Sequence, residues 1–372
     1  MNSMFSGCSK IDSLNISNFI VSKVINMGYM FNGCTSLISL NLNNFNTRNV
    51  NNMMNMFSYC TSLISLDIIS FDTSKVTNME SMFAHCNKIT LLDISNFNTA
   101  SVLNMNYMFK GCSSLKSLNL LNLNTHKVIS MGHMFSDCSS LSELNLISID
   151  LSLVKSMEYM FTGCLELTSI QLPKITDLSV ENLSHMFSKC STLKSLNLSN
   201  FDTSSVLYMD NMFSDCTYLS YLNLDNFITS SVKSMQHMFS GCSSLTSLDL
   251  SSFNTQSVEL MNSMFYGCCS LESLDVNHFN TGSVKNMAFM FYKLKSVSSL
   301  NISNFNTNNV EYMYYMFDGC ESLTSLDLSN FNTSKIRSMD NMFSNCFSLA
   351  ELNISSFSTD LVESMNYLFY GC

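Results

Sequence analysis

Apolar and polar positions in this chain recur as one fixed unit. From Ser36 to Cys60 the sequence reads SLISLNLNNFNTRNVNNMMNMFSYC, and the same pattern returns every 26 residues. A Met-Phe pair marks the beat, from Met4-Phe5 without a slipped residue through Met342-Phe343, closing with Leu368-Phe369. A unit of this size cannot bury its apolar face alone and must stack on copies of itself, so the pattern predicts one solenoid domain over residues 1–372, about fourteen repeats long. The sequence starts and stops part-way through a unit, and the chain is therefore expected to be a fragment of a longer protein.

Within one unit Leu37, Leu40 and Leu42 form an LxxLxL pattern whose last two members alternate with Ser39 and Asn41. That alternation predicts a short strand with one face buried, and the strands should stack in register as a parallel sheet. Phe45 follows as a plug where the chain turns. Thr47 is placed to cap a helix over residues 48–58. At ~100° per residue Val50, Met53, Met56, Phe57 and Cys60 cover an arc of about 120°, the stripe of a helix packed on one side, with Asn51 and Asn55 opposite. Gly33 and its counterparts Gly111, Gly163, Gly241, Gly267, Gly319 and Gly371 suit a left-handed helix stop. Strands stack about 4.8 Å apart and helices are about 10 Å wide. The expected fold is therefore an α/β solenoid curved into a horseshoe, with a parallel β-sheet on the concave face and short helices on the convex face. In the Asn51 column the charge alternates from Lys233 through Glu259, Lys285, Glu311 and Arg337 to Glu363, which should pair neighbouring copies and hold register.

Apolar residues make up 46% of the chain, yet no run approaches the length of a membrane span. A net charge of −10 argues against a phosphate-binding surface and hence against nucleic acid as a partner. Fourteen of the 15 cysteines fall on one beat, and Leu294 fills the remaining slot. A leucine there identifies the position as a buried hydrophobe, so reduced, packed thiols are expected rather than disulfides or a metal site. Cys269 is off the beat and is the expected exposed thiol. The two methionine columns lie on the predicted buried stripe and read as core.

Function in such a stack sits on outward columns. The Asn41 column holds an amide or an acid in all fourteen copies. Its adjacent pairs Asp67/Asp93 and Asp249/Asp275 suggest a strip that holds a divalent cation or a basic ligand; the alternative is an amide ladder running along the stack. A second candidate is a set of outward slots that turn apolar in three successive copies, Leu121, Ile147 and Pro173, with Leu151, Leu153 and Leu165 nearby. The Phe45 column shrinks in those copies to Leu123, Ile149 and Ile175, which equally suits local repacking. Third, Tyr218 and Tyr221, with Asp215 and Asp225, place aromatics where other copies carry Ser. The Asn55 column, with Tyr29, Tyr107, His133, Tyr159, His185, His237, Phe289, Tyr315 and Tyr367, reads as a semi-polar outer stripe. The six histidines have no recurrent acidic or nucleophilic companion, and no phosphate-cradling glycine loop occurs, so no catalytic, cofactor or metal-ligating residues are expected.

The unit SLTSLDLSNFNTSKIRSMDNMFSNC, Ser322 to Cys346, resembles the BspA-like leucine-rich repeats, including the repeats of mycoplasma lipoproteins. The resemblance covers the whole chain and implies a leucine-rich-repeat protein of the cell surface or secreted, associated with adhesion to host matrix or cells. It implies no catalytic or ligand residues. The expected function is non-enzymatic: a polar concave sheet presented to a protein or glycan ligand. The alternative is an intracellular, cytoplasmic or viral interaction scaffold of the same fold.

Overall fold

The computed structural model describes residues 1–173 and 179–372, and Ile175 lies outside them. Each 26-residue unit forms one coil. Its strand segment is three residues long: β1 (Ser39–Asn41), β2 (Ser65–Asp67), β3 (Glu143–Asn145), β4 (Ser169–Gln171), β5 (Ser195–Asn197), β6 (Tyr221–Asn223), β7 (Ser325–Asp327) and β8 (Glu351–Asn353). Pairing is parallel and in register, as in Leu40 opposite Leu66 in β1 and β2, and joins β3 to β4, β5 to β6 and β7 to β8. Elsewhere the same slot makes a single parallel bridge, such as Ser13 to Ser39. The coils group into two compact units. Unit 1 is Met1–Val180 with Lys189–Ser191, and unit 2 is Glu181–Ser188 with Thr192–Cys372.

The predicted helix is absent: among the described residues the chain is an all-β solenoid, and residues 48–58 are turns interrupted by a parallel bridge from Asn52 to Asn26 and Asn78. Met56, Ser58 and Cys60 donate their N–H to the carbonyls of Met53, Asn55 and Phe57, three residues back. The intervening amides of Met53, Asn55, Phe57 and Tyr59 donate to the next coil, to Asn78, Glu80, Met82 and Ala84, at 2.7–3.1 Å. A helix would spend those same groups within its own segment. Asn55 (φ 56) and Tyr59 (φ 60) also adopt left-handed backbone, which an α-helix does not tolerate and a turn with φ > 0 at its third residue requires. Successive turns with three-residue hydrogen bonds bring an apolar side chain inward every three or four residues, so the pattern mimics helical periodicity. The horseshoe inference rested on helices too wide for the coil spacing, and it falls with them. Here the turns of unit 1 stack at Phe ring separations of 5.5–5.8 Å, about half a helix diameter.

Although the helix is missing, its expected inner face is the core. Val50, Met53, Met56, Phe57 and Cys60 are all fully buried, with Leu40, Leu42 and Phe45 closing the coil from the strand side. Unit 2 has a phenylalanine stack of its own, from Phe187–Phe213 at 6.0 Å to Phe343–Phe369 at 5.6 Å. Thr47 is buried too, and it does not cap a helix. Its hydroxyl donates to the carbonyl of Asp72 in the next coil at 2.9 Å and accepts that residue's N–H at 2.8 Å. Thr125, Thr229, Thr281 and Thr307 make the same pair of hydrogen bonds with the coil after them. All 15 cysteines are free. Each thiol on the beat from Cys34 onward, as in Cys60 to Phe31 at 3.2 Å, donates to a phenylalanine carbonyl of the preceding coil. Burial pushes Cys60 and Cys112 up to about 12, so the column stays protonated.

Candidate binding surfaces

On the strand face the Asn41 column has a local duty. Asn41 Oδ1 accepts the N–H of Asn43 at 3.0 Å, and Asn145 and Asn197 do the same for Ile147 and Ser199. Asp67, Asp93, Asp249 and Asp275 accept the N–H of Ile69, Ser95, Ser251 and Asn277 in the same way. Asn or Asp recurs in this column because a short side-chain acceptor closes the turn at the end of the strand; Gln171 stands apart, since Pro173 two residues on has no N–H to donate. Hydrogen bonds from Ser95 and from Ser251 hold Asp93 and Asp249 below the usual carboxylate range. Asp67 is half-buried and also accepts the Asn43 side-chain amide, whereas Asp93, Asp249 and Asp275 are exposed. Among the described residues no group of three or more His, Cys, Asp or Glu is placed to hold a metal ion.

The outward slots between these turns vary freely. Leu121 is 56% exposed and Ile147 60%, both projecting from the turn that Asn119 or Asn145 closes, while Pro173 is buried. Leu153 and Leu165 are exposed; Leu151 is buried with Leu123 and Ile149. Four further aliphatics on the strand side of unit 1 that sequence reasoning missed are also exposed: Ile38, Ile64, Ile69 and Leu91. Their signal was the departure from the Ser, Thr and Asn that most copies carry in those slots. In unit 2 Tyr218 and Tyr221 are both exposed, with Tyr221 opening β6.

On the opposite, turn face, every residue of the Asn55 column has left-handed backbone, including Tyr107, His133 and Tyr159. Their rings stack coil on coil, Tyr107–His133 at 4.6 Å and His133–Tyr159 at 4.5 Å. Sequence reasoning saw this stripe but missed the denser cluster in unit 2, where Tyr266 stacks on Tyr292 at 4.5 Å and Phe289 on Tyr315 at 4.8 Å. Tyr314 meets Phe289 edge-on at 5.4 Å, and the Lys293 ammonium lies 5.1 Å from the Tyr292 ring centre. The aromatic density from Tyr266 to Tyr315 was the available signal. Beside it runs the charged column, with Lys285–Glu259 and Arg337–Glu363 paired at 2.6 Å as the alternation predicted.

No helix among the described residues is long and apolar enough to cross a membrane. No curated protein matches the sequence. Among solved structures the chain is similar to a leucine-rich repeat protein from Bacteroides ovatus, at 17% identity and a TM-score of 0.47, over 94% of this chain and 80% of that one. It is also similar to a leucine rich cell surface protein from Faecalibacterium prausnitzii, at 18% identity and a TM-score of 0.42, over 89% of this chain and 83% of that one. A leucine-rich repeat protein from Eubacterium ventriosum matches at 16% identity and a TM-score of 0.44, over 87% and 91% of the two chains. The family described as "Mycoplasma protein of unknown function, DUF285" matches residues 1–91, 64–174, 181–300 and 269–372. With nearly its whole length matched by that repeat family, the chain belongs to DUF285.

Proposed function

We propose that this chain is a non-enzymatic binding module, a BspA-like surface adhesin segment that presents its strand face to a protein or glycan ligand. The observation that carries this reading is the set of aliphatic side chains left in solvent on the strand side of unit 1, Leu91, Leu121 and Ile147 foremost. The neighbouring acids and amides are occupied in closing their own turns, so these variable slots are where recognition falls. Exposed apolar side chains grouped on one face mark a partner surface. Tyr218 and Tyr221 offer unit 2 a second contact of the kind enriched at interfaces. The test is binding of the purified chain to immobilised host matrix proteins and to a glycan array. The triple variant Leu91→Ser, Leu121→Ser, Ile147→Ser restores the commonest residue of each column; it should lose binding at an unchanged melting temperature. Binding equal to the parent would overturn the assignment.

A second reading, an intracellular interaction scaffold, is favoured by the 15 free cysteines, which suit a reducing compartment. Protease treatment of intact cells separates the two. Digestion of the chain supports the surface, and full protection supports the interior.

A further inference from the structure

The aromatic column of the turn face is interrupted in unit 2. In unit 1 Tyr107, His133 and Tyr159 fill three successive coils, so two stacking steps of 4.6 and 4.5 Å hold one ring between two others. In unit 2 His237 and Phe289 stand in the outer positions and Ser263 in the middle one. Ser263 (φ 57) has the same left-handed backbone as His133 (φ 57), and only the ring is lacking. Asn211 and Asn341 interrupt the column as well, but with a longer polar side chain. Beside Ser263, which is itself buried, lies a cavity of about 380 Å³, lined by His237, Asn262, Ser263, Tyr266, Asn286 and Phe289 among others. That volume falls in the range of small-ligand clefts, ~300–1,000 Å³. Tyr315 covers one face of Phe289, with planes 12° apart, and the Phe289 ring also lines the cavity.

The lining combines ring faces with amides and carries no Lys, Arg, Asp or Glu. Burial lowers the His237 pKa against the opposing pull of Asp210 and Asp215, so the imidazole is neutral at neutral pH. Asn262 Nδ2 lies 3.5 Å from His237 Nε2, and Asn286 Oδ1 already accepts the Ala288 N–H, which leaves the Asn286 NH₂ as a donor at the cavity. An anionic ligand would find no counter-charge and would face Asp210 and Asp215 behind His237, and a cationic one would have no carboxylate in the lining to contact. A flat aromatic ligand would satisfy the rings but leave these amides without partners as it displaced their water. A pyranose has C–H groups on its faces and hydroxyls around its edge, which matches both features. We propose that this cavity is a sugar site, in which a neutral hexopyranose ring takes the place of the missing side chain between His237 and Phe289. Asn262 and Asn286 meet its hydroxyls. The site is on the turn face and does not depend on the strand-face reading.

The test titrates the full chain with the methyl glycosides of glucose, galactose, mannose and N-acetylglucosamine, followed by saturation-transfer NMR and calorimetry, with phenol as the aromatic control. At least one glycoside should bind more tightly than phenol. Ser263→Tyr, which completes the stack on a backbone that carries Tyr in other coils, should weaken that glycoside at least ~10-fold while the melting temperature holds or rises. Should S263Y fail to fold, Asn262→Ala carries the test, with a similar loss expected. Binding of phenol in preference to every glycoside, absence of glycoside binding, or unchanged affinity in the folded variant overturns the proposal. The strand-face triple variant should retain glycoside binding, so failure of one assignment is distinguishable from failure of the other.

Discussion

At the scale of single residues, the side chains that look local in the sequence act on the neighbouring coil. Thr229 is fully buried, and its hydroxyl serves both backbone groups of Asn254 at 2.7–2.9 Å. Thr229→Val keeps the shape and strands a buried donor and acceptor, so chemical denaturation should show a loss of about 1–3 kcal/mol. The sequence showed Thr at nearly every copy and suggested a cap; a partner 25 residues away is invisible to any local rule. The cysteines were more legible, because Leu294 in their column announced a hydrophobic slot. Their titration follows from burial. Folded thiols with pKa raised from 9.0 to about 12, as at Cys60 and Cys164, stay protonated while the unfolded chain ionises. The stability this preserves is complete below pH 9 and drains away as pH rises towards the folded values, so the denaturation midpoint should fall steadily above pH 9. Native alkylation should reach only Cys8, Cys269 and Cys372, the three that are not buried; the off-beat Cys269, expected to be exposed, is half-buried, whereas Cys8 and the exposed Cys372 are not set apart by their column.

At the scale of the element, burial phase and secondary structure part company. The stripe Val50, Met53, Met56, Phe57, Cys60 was read correctly as buried and wrongly as helical. A three-residue turn repeat and a 3.6-residue helix differ by little over so short a stretch. The discriminating signals were there: Asn51, Asn52 and Asn55 favour turns over helix, and Asn or Gly at the left-handed positions marks turns with φ > 0. Circular dichroism should accordingly lack the helical double minimum. Val258→Asp places a charge in a fully buried slot and should cost more than about 3 kcal/mol, whereas Asn262→Asp at a half-exposed slot should shift the melting curve little. The exposed pair Glu259–Lys285 is a register mark with small energetic weight, and Glu259→Gln should leave the denaturation midpoint within error.

For the whole molecule, the repeat was the most legible feature of all, because a fixed period over fifteen beats admits only stacking. Candidate surfaces were less so: the column of amides and acids has a turn-closing duty that its sequence alone did not show, while the cavity at Ser263 exists only because residues of successive coils line it together. Equivalent layers make a length prediction. Removing residues 89–114 joins Lys88 to Leu115 in phase and should leave a cooperatively unfolding protein, whereas removing residues 89–101 puts strand against turn and should give a chain without protected amides in hydrogen exchange. The amide ladder of the turns sets a direction as well as a spacing. Met27, Tyr29, Phe31 and Gly33 all donate forward to the next coil, and only amides such as Ile38 and Asn51 donate backward. A section through the stack therefore bares mostly hydrogens on one cut surface and mostly oxygens on the other. Joining two such pieces about a two-fold axis sets mostly like against like, whereas head-to-tail contact pairs donors with acceptors, an arrangement that runs on as a filament unless its rotation closes a ring.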